Sequence, residues 1–201
     1  MKLASRDKKQ LILDAAETLF DRYGYSKTSI DDIAKEAFLG KGTIYYYFES
    51  KEDIFFEVVQ IQTDKFMKKI RKSIDEAKDF ETKLYLTISL PIRMAHEHST
   101  NLLDVLKNFP LQYMHKLKDI RDRSKHHFID ILNDIIQGGI KSNIVSDTIP
   151  VNDVLNVIYD WFLLGDSNII IQNHAEFLEK AEKNYKWVVQ LLLYGLIKRG
   201  N

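Results

Sequence analysis

The chain has 201 residues, with 29 basic and 29 acidic side chains, no cysteine, three prolines and eight glycines. The absence of cysteine excludes a disulfide framework, thiolate catalysis and thiolate metal sites. A net charge of zero gives no global reason to expect nucleic-acid or membrane binding, so either must be argued locally.

Elements in chain order begin with a helix over about 6–23. Leu11, Ile12, Ala15, Ala16, Leu19, Phe20 and Tyr23 recur with a 3.6-residue period, and Gly24 follows as a stop. The basic residues Lys2, Arg6, Lys8 and Lys9 before it read as a frayed, solvated end more than as a minor-groove arm. No apolar secretory segment follows them, so a cytoplasmic soluble protein is the expectation. Thr28 and Asp31 have capping-box spacing and open a short second helix with Ile30, Ile33, Ala34 and Ala37 on its inner side. Gly40 and Gly42 limit that helix, and a third short one follows over about Lys41–Tyr47, with Ile44 and Phe48 inward. Ser50 and Asp53 repeat the capping pattern at the start of a long fourth helix reaching about Lys78.

Further helices are predicted at about 80–98, 100–108, 111–139, 151–173 and 175–199. Pro91 should kink the first of these or mark its start. Gly138-Gly139 and Asn143 to Pro150 read as the clearest loop. The most apolar stretch, Val154 to Ile171, is interrupted by Asp160 and Asp166 and does not suit a membrane helix. The fold class is therefore all-α: a three-helix head of residues 1–52, a connecting helix 51–78, and a helical bundle within 53–201, about nine helices in all.

Thr28 to Lys51 carries the functional information. Two short helices joined by a few residues and braced by a longer one form a helix-turn-helix. The second short helix begins with Lys41, Gly42 and Thr43, small or cationic side chains that suit entry into a major groove about 12 Å wide. Tyr45, Tyr46 and Tyr47 supply hydroxyls for phosphate and rings for sugars or thymine methyls. Ordinary packing is the competing reading of the three tyrosines, and solvated surface charge that of Lys41 and Lys51. Residues 1–53 hold 9 basic and 10 acidic side chains, so few ionic DNA contacts are expected, fewer than about 8 per monomer.

Catalytic and metal motifs are not found. Gly40-Lys41-Gly42-Thr43 lacks the earlier glycine and the preceding strand of a phosphate loop. His96 with His98, and His126 with His127, are spaced so that they do not share a helix face. No cofactor is expected and no enzyme reading has positive support.

Residues 9–59 resemble the DNA-binding domain of TetR-type transcriptional regulators. The resemblance rests on Ala15-Ala16, Phe20, Gly24-Tyr25, Thr28 to Ile30, Ile33-Ala34, Lys41 to Tyr45, Phe48 and Ser50 to Glu52. It implies phosphate contacts from Thr28 and Lys51, with Ser29 beside Thr28 at the same helix start. Lys41, Gly42, Thr43 and Tyr46 would face the groove, Tyr45 would lie on the DNA backbone, and Tyr47 would occupy a DNA-contacting position. Phe38 stands where members usually have a turn glycine, and Gly40 where a capping serine is common. Positive φ is unfavourable for a bulky residue, so the expectation is a rearranged turn with Gly40 in the strained position.

For the bundle, the resemblance implies a ligand-binding and dimerising role. Met94, His96, Phe109, Tyr113, Tyr159, Trp161 and Phe162 are the candidate lining of a pocket for a small, largely apolar effector. The last two helices carry a broad apolar surface, from Val154 through Leu196, suited to a homodimer seam. The expected function is a ligand-responsive homodimeric repressor on a near-palindromic operator. A carrier or enzyme with a vestigial head and a ligand-free architectural DNA-binding protein are the rivals; neither accounts for both head and bundle.

Overall fold

The computed structural model describes residues 2–91, 113–148 and 150–159, together with 195. The fold is all-α. Seven helices lie among the described residues: α1 (Lys2–Tyr23), α2 (Ile30–Glu36), α3 (Lys41–Tyr47), α4 (Lys51–Glu76), α5 (described over 80–91), α6 (Met114–Lys141) and α7 (Val151–Ile158). The chain divides into two compact units. The first takes the chain up to Lys65 and the stretch ending at Lys118; the second resumes at Phe66 and again at Asp119.

In the first unit, each of the first four helices contributes one fully buried isoleucine: Ile12, Ile33, Ile44 and Ile54. Each such side chain removed from water is worth about 1.5–3 kcal/mol. The buried line of α1 is Ile12, Leu13, Ala15, Ala16, Leu19 and Phe20, whereas Leu11 and Tyr23 are exposed. Leu11 falls on the helix flank, and Tyr23 is the last helical residue, with the Arg22 guanidinium 5.8 Å from its ring. Gly24 then takes φ +83° and donates its N–H to the Phe20 carbonyl at 2.9 Å, a left-handed C-terminal stop. Helical backbone begins at Lys2, and Lys9 pairs with Glu57 of α4 at 2.5 Å.

The start of α2 is one residue later than its spacing suggests. Ser29 is the N-cap, and it forms a reciprocal capping box with Asp32. Thr28 is only 3% exposed, and its hydroxyl donates to the Gly24 carbonyl at 2.9 Å. That partner, four residues back, removes Thr28 from capping. By contrast, the Ser50–Asp53 pair forms as spaced: the Asp53 N–H donates to Ser50 Oγ at 3.1 Å, and that hydroxyl donates to the Asp53 carboxylate at 2.8 Å.

The turn between α2 and α3 also differs from expectation. Phe38, not Gly40, takes the left-handed conformation, with φ 55°. Gly40 is extended (φ −73°, ψ 147°) and serves as the N-cap of α3. Two hydrogen bonds hold the turn, Phe38 N–H to the Lys35 carbonyl at 3.1 Å and Leu39 N–H to the Ala34 carbonyl at 2.9 Å. They fix a conformation that costs a side-chain-bearing residue roughly 1–2 kcal/mol.

The second unit is built on Ile70 and Ile74 of α4, Leu84 and Ile88 of α5, Phe128, Leu132 and Ile136 of α6, and Leu155 of α7. Helix α5 begins at 80, ahead of Pro91, so the proline does not mark its start. Gly138 and Gly139 lie inside α6 rather than in a loop. A methyl group at Gly139 would fall 2.7 Å from Val145 Cγ2 and 2.8 Å from Phe80 Cε2, so the glycine is needed for close packing. Asn143, at φ 59°, turns the chain out of α6. Asn tolerates that region better than most residues.

Candidate nucleic-acid interface

Helix α3 has one inward face and one open face. Ile44 is fully buried and Phe48, its C-cap, is buried just beyond it. These two anchors turn the remaining side chains outward. Lys41 is exposed, Tyr45 is 52% exposed and Tyr46 is 80% exposed. Nothing lies within 4 Å of where a Cβ would stand on Gly42. Thr43 and Tyr47 are half-buried, and the Tyr47 ring meets that of Tyr46 edge-on at 5.0 Å between centroids. The open face thus presents one ammonium, one bare stretch of backbone and two phenols. That set can donate to phosphate oxygens, approach base edges closely and lie against apolar sugar or methyl surface.

Electrostatics moderate the site. The Lys41 ammonium donates to Asp31 Oδ2 at 2.9 Å, and this bond holds its pKa above the ordinary lysine value. Asp31 and Asp32 occupy the first turn of α2, and the hydrogen bonds from Ser29 hold the Asp32 carboxyl below its usual range. Ser29 is exposed, but its hydroxyl is engaged in this box. An anion approaching the start of α2 therefore meets carboxylates before it meets free N–H groups.

Of the two residues assigned to phosphate by resemblance, one is buried and the other is half-buried with main-chain partners. Thr28 is buried as described above. Lys51 donates to the main-chain carbonyls of Tyr25 at 3.0 Å and Thr28 at 2.9 Å. Burial lowers its pKa, with neighbouring Glu52 opposing. The Tyr25 hydroxyl donates to Glu52 at 2.7 Å; burial first, and then this bond, push the phenol upward. Lys51 at a helix start reads as an anion contact in the sequence, and only the fold shows two carbonyls competing for it.

Of the candidate effector residues only Tyr113 and Tyr159 are described, and each falls in a different unit. Tyr113 belongs to the first unit, where its ring lies 5.9 Å from that of Phe56. Lys116 of the same unit pairs with Asp53 and sits over the Phe56 ring at 5.5 Å. Tyr159 is buried in the core of the second unit, 5.8 Å from Phe128. Met94, His96, Phe109, Trp161 and Phe162 lie outside the described residues, as do most of the last two predicted helices. A cleft of about 480 Å3 in the second unit is lined by Arg71, Lys78, Lys83, Asp134, Ile135 and Ser142, and by none of the candidate effector residues. Arg71 there bonds Asp134 at 2.8 Å and Asp75 at 3.2 Å, so its charge is already met. Among the described residues no helix is long and apolar enough to cross a membrane.

Comparison with known proteins agrees with the geometry. Residues 12–58 match the family model for bacterial regulatory proteins of the tetR family. The regulator QacR of Staphylococcus aureus is 26% identical over 192 residues, covering 94% of this chain and 98% of its own. The fatty acid degradation regulator FadR from Bacillus halodurans superposes with a TM-score of 0.64 at 26% identity, covering 96% of this chain and 97% of its own. FadR from Bacillus subtilis, solved in complex with stearoyl-CoA, gives 0.61 at 25% identity, covering 92% and 98%. The helix-turn-helix head, its family match and these full-length likenesses agree: residues 12–58 are a DNA-binding head of the tetR family of bacterial regulatory proteins, and the chain as a whole is similar to transcriptional regulators that carry such a head.

Proposed function

We propose that the protein is a homodimeric repressor that leaves a near-palindromic operator when a small, largely apolar effector binds its C-terminal bundle. The observation that carries this reading is the open face of α3. Lys41, Gly42, Tyr45 and Tyr46 stand outward on a helix anchored by Ile44, as a groove-reading element requires. A two-fold dimer would present two such helices to half-sites about one helical turn apart or a multiple of it. Residues 1–52 would read DNA, 51–78 would connect, and 53–201 would hold effector and partner, with the seam in the last two helices. The reader would act on cytoplasmic DNA.

The likeness to a regulator solved with stearoyl-CoA makes a long-chain acyl thioester the first effector to test. Release needs only that the effector favour a state that grips DNA poorly, a coupling of about 1–3 kcal/mol. The pairing of Lys116 with Asp53 is a candidate part of that coupling. Asp53 holds the hydroxyl of Ser50 that caps the helix following the reading head, and both α4 and α6 contribute residues to each unit.

Selection of bound duplexes from a random pool at stated salt, with and without stearoyl-CoA, tests the reading. An inverted repeat, lost when effector is present, is expected. Equal recovery of all duplexes would reject it, and an operator indifferent to acyl thioesters would reject that effector class.

A further inference from the structure

We infer that Phe38, in the turn before α3, is a specificity-determining contact that lies against a thymine methyl at the edge of each half-site. This rests on the DNA-reading assignment of α3. Phe38 combines two features that do nothing for the folded chain alone: φ 55°, a conformation that disfavours side chains, and 95% exposure of a large apolar ring. The turn itself is held by main-chain bonds from Phe38 and Leu39 to Lys35 and Ala34, which a smaller residue would make equally well. The ring is therefore dispensable for the turn, and a residue such as glycine would relieve the backbone.

Its position indicates the partner. Phe38 stands two residues before Gly40, the N-cap of α3, and so at the entry to the helix whose open face carries Lys41, Gly42, Tyr45 and Tyr46. In sequence Phe38 is flanked by exposed Lys35, exposed Glu36 and exposed Lys41, the last paired with Asp31. An exposed apolar ring at the entry to a groove-reading helix suits the part of a groove that offers apolar surface. In the major groove the apolar feature of a base edge is the thymine C5-methyl, which phenylalanine contacts in direct readout.

Two variants test the proposal, Phe38→Gly and Phe38→Asn, both tolerant of the left-handed conformation and both lacking the ring. Each is titrated against the duplex selected by the wild type and against copies with single dT→dU replacements, which delete one methyl at a time. The expected result is a thermal midpoint unchanged or raised and affinity for the selected duplex roughly tenfold lower. A wild-type sensitivity to dU at one position per half-site should also disappear in both variants. Equal affinity of wild type and variants would overturn the proposal. So would wild-type self-association without DNA that both variants abolish, since a second copy would then cover the ring. A wild type with no preference among duplexes rejects the DNA assignment itself, and that result needs no variant.

Discussion

Lys51 lies with its ammonium 4.1 Å from the centroid of the Tyr25 ring while donating to the Tyr25 carbonyl at 3.0 Å. The first residue of α4 thus ties the helix to the segment between α1 and α2, through a third contact at the Thr28 carbonyl. A cation in that position serves the fold before it serves a phosphate. Lys51→Ala should lower the stability of the head by about 2 kcal/mol, the scale of charge-assisted hydrogen bonds lost from a half-buried site. Urea denaturation monitored by tyrosine fluorescence gives that number. An unchanged midpoint with a reduced salt slope of DNA binding would return Lys51 to the phosphate role.

Asp53 gives the head an acid-sensitive contact. Burial pushes its carboxyl upward, but hydrogen bonds from Lys116 and Ser50 outweigh burial and hold it below the ordinary 3.8. A folded-state pKa below the unfolded one means that the stabilisation is complete above about pH 4. It fades as pH falls through the lower, folded value. Asp53→Asn should cost about 1 kcal/mol at pH 7, from a weakened cap and a lost ion pair. The gap between wild type and variant should narrow below pH 4. Thermal melts across pH 3–7 check it; a gap that widens on acidification has the wrong sign.

Gly42 separates folding from binding. Its Cβ position is open, so Gly42→Ala meets no steric barrier and should stabilise α3 by about 0.5–1 kcal/mol through helix propensity. The same methyl would hold α3 off base edges if the backbone approaches DNA there. The expected outcome is a higher melting temperature with weaker operator binding. A variant that gains stability and keeps full affinity would remove Gly42 from the interface.

Gly139 makes the opposite case. Gly139→Ala drives a methyl against Val145 and Phe80, and overpacking of this kind costs about 1–3 kcal/mol. Circular dichroism melts of this variant beside Gly138→Ala, where the Cβ site is open, give the comparison. Equal melting temperatures would contradict the packing role.

Where a signal is local, the sequence was readable. Gly24 ends α1, Ser50 and Asp53 cap α4, and Ile44 with Phe48 orients α3, each through partners within four residues or through helical period. Where the partner is set by the turn or by another element, the pattern misled. Thr28 and Ser29 offer the same hydroxyl chemistry to α2, and the Gly24 carbonyl, four residues back across the turn that ends α1, takes Thr28 out of the competition. Gly138-Gly139 looks like a break until Phe80 and Val145 occupy the space a side chain would need at Gly139. Lys51 and Tyr113 found partners on other elements, which spacing does not encode. Phe38 took the strain assigned to Gly40 because the bonds to Ala34 and Lys35 set the turn regardless of its occupant.

The most direct measurement is the affinity of a Lys41→Ala, Tyr46→Ala double variant for the wild type's selected duplex and for a scrambled duplex at the same salt. Both side chains are outward, so helicity and melting should be preserved. A loss of at least about tenfold on the selected duplex, larger than the loss on the scrambled one, is the expected result. Unchanged affinity for the selected duplex would mean that the open face of α3 is not what touches DNA.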